Sequence, residues 1–430
     1  MRGKTEYPVP AECVGDKEEA LKNHVIIGNG TAAVGCIEGI RSISSEDRIT
    51  VISKEPHPVY SRPLISYYLE GKTDLKRMLY RDEDFYKKNG VDIRYGVTAE
   101  HIDTAKKKIK LSDGTTLKYD DICVAAGSSP FVPPMQGLDS VEKKFGFMTL
   151  DDALSLEKEL TKEARVLIVG AGLIGLKCAE GIKERVGSIT VCDLADRVLS
   201  SILDSECAGI VQKHLEAHGI SFLLSDSVAK FEGNKAFMKS GAEVEFDILV
   251  LAVGVRANIG LIKEIGGTVN RGIVVNEEQK TSIEDIYAAG DCAEGYDASI
   301  DANRVLAILP NAYMQGRTAG INMAGGTVTF DTGIPMNSIG FFGLHIMSAG
   351  AYDGERKEIR HGDVLKRFFV KDGKLGGYML IGETDRAGIY TALVREKTPL
   401  SEINFDAVTE KAGSIVFSAD SRRKKFGGTV

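Results

Sequence analysis

Two stretches of the chain decide its fold: His24-Val25-Ile26-Ile27-Gly28-Asn29-Gly30-Thr31-Ala32-Ala33 and Val166-Leu167-Ile168-Val169-Gly170-Ala171-Gly172-Leu173-Ile174-Gly175. Each is an apolar run that ends at Gly-x-Gly-x-x-(Gly/Ala) and continues into a helix-like segment. In a strand–turn–helix unit the first glycine permits the tight turn, the second leaves room for a pyrophosphate, and the third lets the helix pack on the strand. The helix N-terminus then offers unpaired N–H groups to the phosphates. Two such units predict two dinucleotide sites, and a chain that binds two dinucleotides usually moves electrons between them.

An acidic residue follows the next apolar run after each turn, where it can bind a ribose. After the first turn the candidate is Glu55, although Ser53 occupies the earlier position at which an acid often stands. After the second turn Asp193 ends the run Ser188–Cys192, close to the expected separation of about 20 residues. A carboxylate there accepts hydrogen bonds from a free ribose 2′-hydroxyl and repels a 2′-phosphate, which favours NAD over NADP. Arg197 is the nearby group that would soften this preference.

The composition is that of a globular protein with two to three domains in 430 residues. A net charge of -7 and a pI near 5.7 argue against a nucleic-acid partner. No apolar run approaches the roughly 20 residues that cross a membrane, and the N-terminus lacks the apolar core of a secretory signal. The seven scattered cysteines lack metal-binding or redox spacing. We therefore expect a cytoplasmic protein with reduced thiols and no metal.

The pattern along the chain predicts an α/β protein with a duplicated organisation. Residues 1–23 are an extension, residues 24–130 form a first dinucleotide domain, and residues 131–255 form a second. The runs 121–127 and 246–254 share one pattern, an Asp, an apolar run, a small residue and a Gly, which suggests internal duplication. Residues 327–430 change to short β-like runs, at 338–344, 364–370 and 377–381, and predict a smaller α+β domain. Ser112-Asp113-Gly114 and Asp372-Gly373 are expected hairpin turns.

Five motifs in one order carry a resemblance to a known family: Gly28–Gly30, Ala125–Pro130, Gly170–Gly175, Ala252–Asn258 and Ala288–Ala293. They resemble the FAD-dependent pyridine nucleotide oxidoreductases over about residues 24–395. The resemblance implies two Rossmann-like dinucleotide-binding domains and a small C-terminal α+β domain. The NAD domain (131–255) is implied to be inserted in an FAD domain formed by residues 24–130 and 256–326. The segment His57–Leu64 is similar to the branch that contains rubredoxin reductases, ferredoxin reductases and the flavin part of assimilatory nitrite reductases.

The glycine patterns and this resemblance together assign the cofactor contacts. Arg62 is implied to hold the FAD pyrophosphate, for which an arginine fork is suited, although a surface arginine in a proline-bounded loop is the alternative. Asp291 is implied to bind the ribityl chain and the nearby phosphate. The FAD residues are Gly28, Asn29, Gly30, Thr31, Ala32, Glu55, Arg62, Pro63, Ala126, Gly127, Gly290 and Asp291. The NAD(H) residues are Gly170, Gly172, Leu173, Ile174, Gly175, Asp193, Val253 and Gly254.

Three departures from the family pattern affect function. Disulfide reductases of the family carry one or two cysteines in a segment where this chain, from Ser53 to Leu75, has none, which argues against disulfide chemistry. Tyr67 stands where ferredoxin-reductase relatives often have a lysine beside the flavin. Lys177 stands where near relatives have a glutamate at the nicotinamide pocket. Lys177 is either an exposed helix residue or an altered contact to nicotinamide or a partner.

Hydride transfer from NADH to FAD needs no side-chain acid or base, so no catalytic residue is named. The first hypothesis is that electrons pass from NADH through FAD to an iron–sulfur or rubredoxin-type protein, with the chain as the FAD subunit of a larger oxidoreductase as one version. The alternatives are a stand-alone NADH oxidase or small-molecule reductase, and a nucleotide-binding flavoprotein without catalysis. The N-terminal extension and the basic run Arg422–Lys425 are either docking elements or exposed termini. The C-terminal domain is the place for a homo-oligomer interface or an acceptor contact, and its aromatics Phe341, Phe342 and Tyr378 either cover the flavin or form core.

Overall fold

The computed structural model describes residues 21–410. The first segment of the chain ends at about residue 130, where the chain crosses to a second sheet. The elements of this segment are β1 (Asn23–Ile27), α1 (Thr31–Arg41), β2 (Arg48–Ser53), α2 (Ile65–Leu69), α3 (Phe85–Lys88), β3 (Val91–Tyr95), β4 (Ala99–Asp103), β5 (Lys108–Leu111), β6 (Thr116–Lys118), β7 (Asp121–Val124) and β8 (Ser128–Pro130). Strand β1 pairs in parallel with β2 on one side and with β7 on the other. The expected hairpin at Ser112–Gly114 joins β5 and β6.

The second segment builds a parallel sheet of its own. Its elements are β9 (Lys144–Phe145), α4 (Leu150–Glu157), β10 (Arg165–Val169), α5 (Leu173–Ile182), β11 (Ser188–Cys192), α6 (Ser205–Ala217), β12 (Ile220–Leu223), β13 (Val228–Glu232), β14 (Lys235–Met238), β15 (Glu243–Glu245), β16 (Ile248–Leu251) and β17 (Val255–Ala257). The parallel sheet has the order β12-β11-β10-β16-β9, and β13, β14 and β15 form a separate antiparallel sheet. Strand β17 pairs with β8, so a two-stranded ribbon carries the chain into and out of this unit.

The third segment returns to the first sheet. It contains α7 (Gly260–Glu264), β18 (Ile273–Val274), β19 (Ile286–Ala288), β20 (Ala293–Asp297), β21 (Ala302–Val305) and α8 (Leu309–Met323). Strand β19 joins β7, which completes the order β19-β7-β1-β2-β3. Helix α8 packs on α1 at very short range, because a Cβ on Gly316 would lie 1.9 Å from Ala32 O and one on Gly35 would lie 2.2 Å from Tyr313 O. The expected insertion of one Rossmann-like unit in another is confirmed.

The C-terminal unit is an antiparallel sheet with two helices. Its elements are β22 (Met336–Phe341), β23 (Leu344–Gly350), β24 (Glu355–His361), β25 (Val364–Lys371), β26 (Lys374–Ile381), α9 (Ala387–Arg395) and α10 (Phe405–Glu410). The strand order is β22-β23-β26-β25-β24. Asp372 and Gly373, both at positive φ, form the expected hairpin turn. The run 338–344 is not one strand, as the sequence suggested, because a turn at Phe342-Gly343 divides it.

One hydrophobic cluster runs through all three units. It contains Ile65 and Leu69 of the first segment, Leu176 of the second, and Phe341 and Ile381 of the C-terminal sheet. The units therefore share core, and the two glycine turns have a fixed relative position in this structure. Among residues 21–410, no helix is both long and apolar enough to cross a bilayer. The N-terminal extension up to residue 20 and the basic run Arg422–Lys425 lie outside the described residues.

Candidate functional site

The first glycine turn is a cradle between β1 and α1. Gly28 has φ +117°, and a Cβ there would lie 2.1 Å from Ala125 O, so only glycine allows β7 to approach this closely. Gly30 is the N-cap of α1, and a Cβ at this position would meet no protein atom within 4 Å. The backbone therefore leaves open space in front of the helix N-terminus. This is the arrangement that a pyrophosphate requires.

The second glycine turn repeats this geometry between β10 and α5. Gly170 has φ +120°, and its Cβ would lie 2.2 Å from Ala252 O, while Gly172 is the N-cap of α5 with open space around it. A Cβ on Gly175 would lie 2.0 Å from Gly170 O, so the third glycine permits the helix to pack against the turn. Leu173 and Ile174 form the first turn of α5. The structure thus places all three glycines in the positions that the pattern predicts.

Asn29, Thr31 and Ala32 complete the first cradle in different ways. The Asn29 side chain braces the loop, since its Oδ1 accepts from Tyr86 Oη at 2.6 Å and its Nδ2 donates to His57 O at 3.3 Å. Thr31 and Ala32 are buried in the first turn of α1. Tyr86 was not predicted from the sequence, because its contact with Asn29 spans 57 positions.

Glu55 and Arg62 form one cluster beside the first cradle. Glu55 Oε2 accepts from Tyr60 Oη at 2.6 Å, and its Oε1 is paired with Arg62. The Arg62 guanidinium also donates to Met148 O at 3.1 Å. Burial raises the pKa of Tyr60, so its hydroxyl stays protonated and donates. The predicted ribose ligand and the predicted pyrophosphate ligand are thus in direct contact, and Pro63 follows them in an exposed turn.

Asp291 lies next to the ribbon and close enough to Arg62 for the two charges to interact. Ser128 Oγ donates to its Oδ2 at 3.4 Å. Burial raises the pKa of the Asp291 carboxyl, and the Ser128 hydrogen bond and the Arg62 charge offset part of this effect. Gly290, at φ +79°, donates its N–H to the buried Gln315 Oε1 at 2.9 Å. The half-buried Asp291 carboxylate, with one side-chain hydrogen bond, can accept a further hydrogen bond from a ligand.

The ribbon motifs hold the two units together beside this carboxylate. Asn258 Nδ2 donates to Ala126 O at 2.8 Å, and Asn258 N donates to Gly127 O at 3.0 Å. Gly254, at φ +130°, follows Val253 and accepts at its carbonyl from Phe131 N at 2.9 Å. The segments Ala125–Pro130 and Ala252–Asn258, which are distant in sequence, therefore form the junction between the two nucleotide units.

Asp193 is fixed at the end of β11 against the second cradle. Its Oδ2 accepts from Ala171 N at 2.7 Å and its Oδ1 accepts from Ala195 N at 2.8 Å. The carboxylate therefore lies beside the glycine turn, where the sequence places a ribose ligand. Arg197 is engaged elsewhere, since it pairs with Asp196 and donates to Leu203 O at 3.2 Å.

Lys177 lies at a junction of all three units, and its interpretation as an exposed helix residue is wrong. Its side chain is 18% exposed, is paired with Glu180, and places Nζ 4.6 Å from the centre of the Tyr67 ring. Phe341 and Tyr378 are both fully buried, as core aromatics are. Tyr378 bonds through its hydroxyl to Thr391 within the C-terminal unit.

The residues present fit two dinucleotides. A Cβ added to Gly30 or to Gly172 would meet no protein atom within 4 Å, and a carboxylate lies beside each cradle. Arg62 and the half-buried Asp291 lie beside the first cradle, where both can bind polar groups of FAD. The second cradle adds Asp193, which suits an unphosphorylated ribose.

Comparison with known proteins identifies the family to which the chain belongs. The family described as "Pyridine nucleotide-disulphide oxidoreductase" matches residues 22–316. The chain is 30% identical to the epsilon subunit of NADH-dependent phenylglyoxylate dehydrogenase from Aromatoleum evansii, over 88% of this chain and 93% of that protein. It is 30% identical to the assimilatory nitrate reductase electron transfer subunit of Bacillus subtilis over 87% of this chain, but spans only 49% of that relative. It is 33% identical to an NADH oxidase of Methanocaldococcus jannaschii, over 83% of this chain and 87% of that protein.

A solved structure supports the fold. The complex of putidaredoxin reductase with putidaredoxin contains a chain that matches 92% of this one with a TM-score of 0.85 at 22% identity, and 98% of that chain is covered.

Proposed function

Because the chain belongs to the pyridine nucleotide-disulphide oxidoreductase family, we propose that it passes electrons from NADH through FAD to a separate iron–sulfur or rubredoxin-type protein. The chain is an FAD-dependent NADH oxidoreductase, and its cofactors are FAD and NAD(H). The proposal adds the site assignment: the cradle at Gly28–Gly30 with Arg62 and Asp291 is the FAD site, and the cradle at Gly170–Gly175 with Asp193 is the NAD site. The proposal also places the domain boundaries at 130/131 and 255/256, at the two strands of the ribbon. We further propose that the protein is cytoplasmic.

The chain's own residues bind and orient the cofactors. Bound FAD supplies hydride acceptance and the release of single electrons, so the protein needs no acid or base at the reacting atoms. The amides at the N-termini of α1 and α5 face the two open spaces and can receive phosphate oxygens. The shared core of Ile65, Leu176 and Phe341 fixes the two sites relative to each other and keeps water out of the junction.

One observation carries the choice of an external acceptor: no thiol stands where a disulfide reductase has its redox cysteine. Residues 54–74 contain no cysteine, and the short helix α2 in this segment presents Tyr67 and Tyr68 instead. Cys292, in the second FAD motif, is buried, and burial raises the pKa of its thiol to about 12. A thiol with that pKa stays protonated and is a poor nucleophile. Neither the segment 54–74 nor Cys292 therefore offers the flavin a redox-active thiol, which supports an external acceptor.

A stand-alone oxidase is the second candidate, favoured by the NADH oxidase of M. jannaschii among the relatives. The two functions differ in how the reduced flavin is reoxidised. The FAD-loaded protein is reduced with NADH without oxygen and is then mixed either with air-saturated buffer or with an oxidised rubredoxin or ferredoxin.

The proposal predicts that the redox protein reoxidises the flavin at least tenfold faster than oxygen does. Faster reoxidation by oxygen than by every redox protein tested contradicts it and supports the oxidase. Purification from the native host under gentle conditions gives a second test, because the subunit version predicts that an iron–sulfur protein co-elutes. If FAD-loaded protein is not reduced by NADH, the non-catalytic alternative is supported instead.

A further inference from the structure

The turn between β22 and β23 is held by side chains of the NAD unit. We call residues 340–343, the end of β22 and the two residues that follow it, the C-terminal turn. Lys177 Nζ donates to Gly340 O at 3.2 Å, and Glu180 Oε1 accepts from Phe342 N at 2.7 Å. His214 Nε2 lies 3.0 Å from Phe341 O and donates to it. Three successive residues of one unit thus have their backbone groups satisfied by side chains of another.

The C-terminal turn has an unusual backbone that this docking stabilises. Phe342 has φ +46°, a strained conformation for a bulky residue that persists only where the surroundings hold it. Its ring stacks on His218 at 4.5 Å with an interplanar angle of 7°. Phe341 is fully buried in the core that all three units share. The turn is therefore locked onto α5 and α6.

Lys177 extends the same contact to the FAD unit. Its Nζ lies 4.6 Å from the centre of the Tyr67 ring and 5.5 Å from that of Phe341, distances at which an ammonium is attracted to an aromatic face. Tyr67 is on α2, five positions after Arg62 of the FAD site. A Cβ on Gly181 would lie 2.8 Å from Ser66 O, so the backbones of α2 and α5 meet directly beside this contact. Lys177 thus touches the FAD unit, its own helix and the C-terminal turn.

The position of this junction links it to both nucleotide sites. Helix α5 begins at Gly172, the N-cap that faces the NAD site, and Lys177 follows about one turn later on the same helix. Helix α2 follows Arg62, which lies in the FAD site. A tilt of α5 on α2 would change the distance between the two sites and leave each site intact.

We propose that Lys177 and Glu180 are positioning residues for hydride transfer, because their ion pair fixes α5 against Tyr67 of the FAD unit and against the C-terminal turn. The proposal rests on the proposed function, since it concerns the approach of the two nucleotides. Neither residue needs to touch a reacting atom. A displacement of about 1 Å between reacting groups can lower a rate about 100-fold, whereas the affinity for each nucleotide depends on contacts at its own cradle.

The test compares full-length, FAD-loaded variants. Lys177→Met removes the ammonium and keeps much of the side-chain bulk. It leaves Glu180, which is 5% exposed, without its cationic partner and with only its hydrogen bond from Phe342 N. The double variant Lys177→Met/Glu180→Gln removes both charges. Tyr67→Leu removes the aromatic ring that faces Lys177 on the FAD side, together with its longer contact to Lys72. Lys213→Met, an exposed position on α6, is the matched control. Because three variants disturb one junction in different ways, failure of one to fold leaves the test intact.

Two measurements are made on each variant: hydrogen exchange of the Phe342 amide, and NADH-dependent flavin reduction in stopped flow. We expect faster exchange of the Phe342 amide in the two Lys177 variants. In all three variants we expect a limiting rate of flavin reduction about 10- to 100-fold lower than in wild type, with an NADH dissociation constant within about threefold of wild type. Lys213→Met should match wild type in both. A limiting rate within twofold of wild type in the folded variants overturns the proposal, as does a loss carried entirely by the NADH dissociation constant. Wild-type protein that NADH does not reduce would instead refute the proposed function, while the exchange measurement still reports on the junction.

Discussion

Replacing Gly172 with alanine should separate nucleotide binding from folding. Gly172 has φ -81° and ψ -174°, values that alanine adopts without strain, and its Cβ would meet no protein atom within 4 Å. Alanine is a poorer N-cap than glycine, which lowers the free energy of unfolding by about 1 kcal/mol. Alanine also restricts the unfolded chain, which raises the free energy of unfolding by roughly 0.4–1 kcal/mol. The free energy of unfolding without nucleotide should therefore change by less than about 1 kcal/mol.

The same methyl group should strongly weaken NADH binding. It occupies the open space in front of α5, where the pyrophosphate is expected to accept hydrogen bonds from the helix amides. A hydrogen bond to a charged group contributes about 1.5–3 kcal/mol, so losing one and displacing its neighbour should cost about 2–4 kcal/mol. That cost corresponds to a dissociation constant for NADH that is roughly 30- to 700-fold larger.

Thermal unfolding of the FAD-loaded protein and titration with NADH measure the two effects separately. Gly175→Ala provides the contrast, because its Cβ would lie 2.0 Å from Gly170 O and should lower stability as well as binding. We expect Gly172→Ala to unfold within about 3 °C of wild type and to lose NADH affinity. A folded Gly172→Ala protein that binds NADH within threefold of wild type would refute the placement of the pyrophosphate.

Three further predictions follow from single side chains. Asp193→Ala removes the acceptor of Ala171 N and the proposed ribose ligand, so NADH affinity should fall about 10- to 100-fold and NADPH affinity much less; equal losses in parallel titrations would show that Asp193 does not bind the ribose. Burial raises the pKa of the Asp291 carboxyl, so the folded protein favours its protonated form. The contribution of Asp291 to the free energy of unfolding is therefore most favourable at acid pH and is lost as the pH rises through the raised pKa. Without FAD, Asp291→Asn should therefore unfold at a higher temperature than wild type at neutral pH, and its unfolding temperature should depend less on pH. The same variant should retain less FAD. A lower unfolding temperature than wild type at neutral pH would contradict this. Arg367 is fully buried and pairs with Asp204, Glu206 and Glu358, so Arg367→Met should lower the free energy of unfolding by about 3 kcal/mol in denaturant titrations. The control Arg356→Met, at an exposed arginine, should lower it by less than about 1 kcal/mol. Similar losses in the two variants would contradict the account.

The sequence predicted most of the fold because the deciding constraints are local. Gly28 and Gly170 are required by turns whose strand, glycines and helix lie within about ten residues of each other. The acid at Asp193 is recognisable for the same reason, since it ends the strand next to the turn. The repeated pattern predicted two similar units, and the resemblance to the family implied that one unit is inserted in the other.

Contacts between distant side chains left no comparable signal. Lys177 meets Gly340, and Arg367 meets Asp204, across 163 positions in each case. The pairing of Glu55 with Arg62 is closer in sequence, yet it depends on the Tyr60 side chain and on the turn between them. The run 338–344 reads as one strand because the turn at Phe342 uses a positive φ that an aromatic residue rarely adopts.

Titration of the FAD-loaded protein with NADH in the absence of oxygen tests the central claim most directly. The account predicts that about one equivalent of NADH bleaches the visible flavin absorbance, and that NADPH does so at concentrations at least tenfold higher. A flavin that stays oxidised in excess NADH would contradict electron transfer between the two sites.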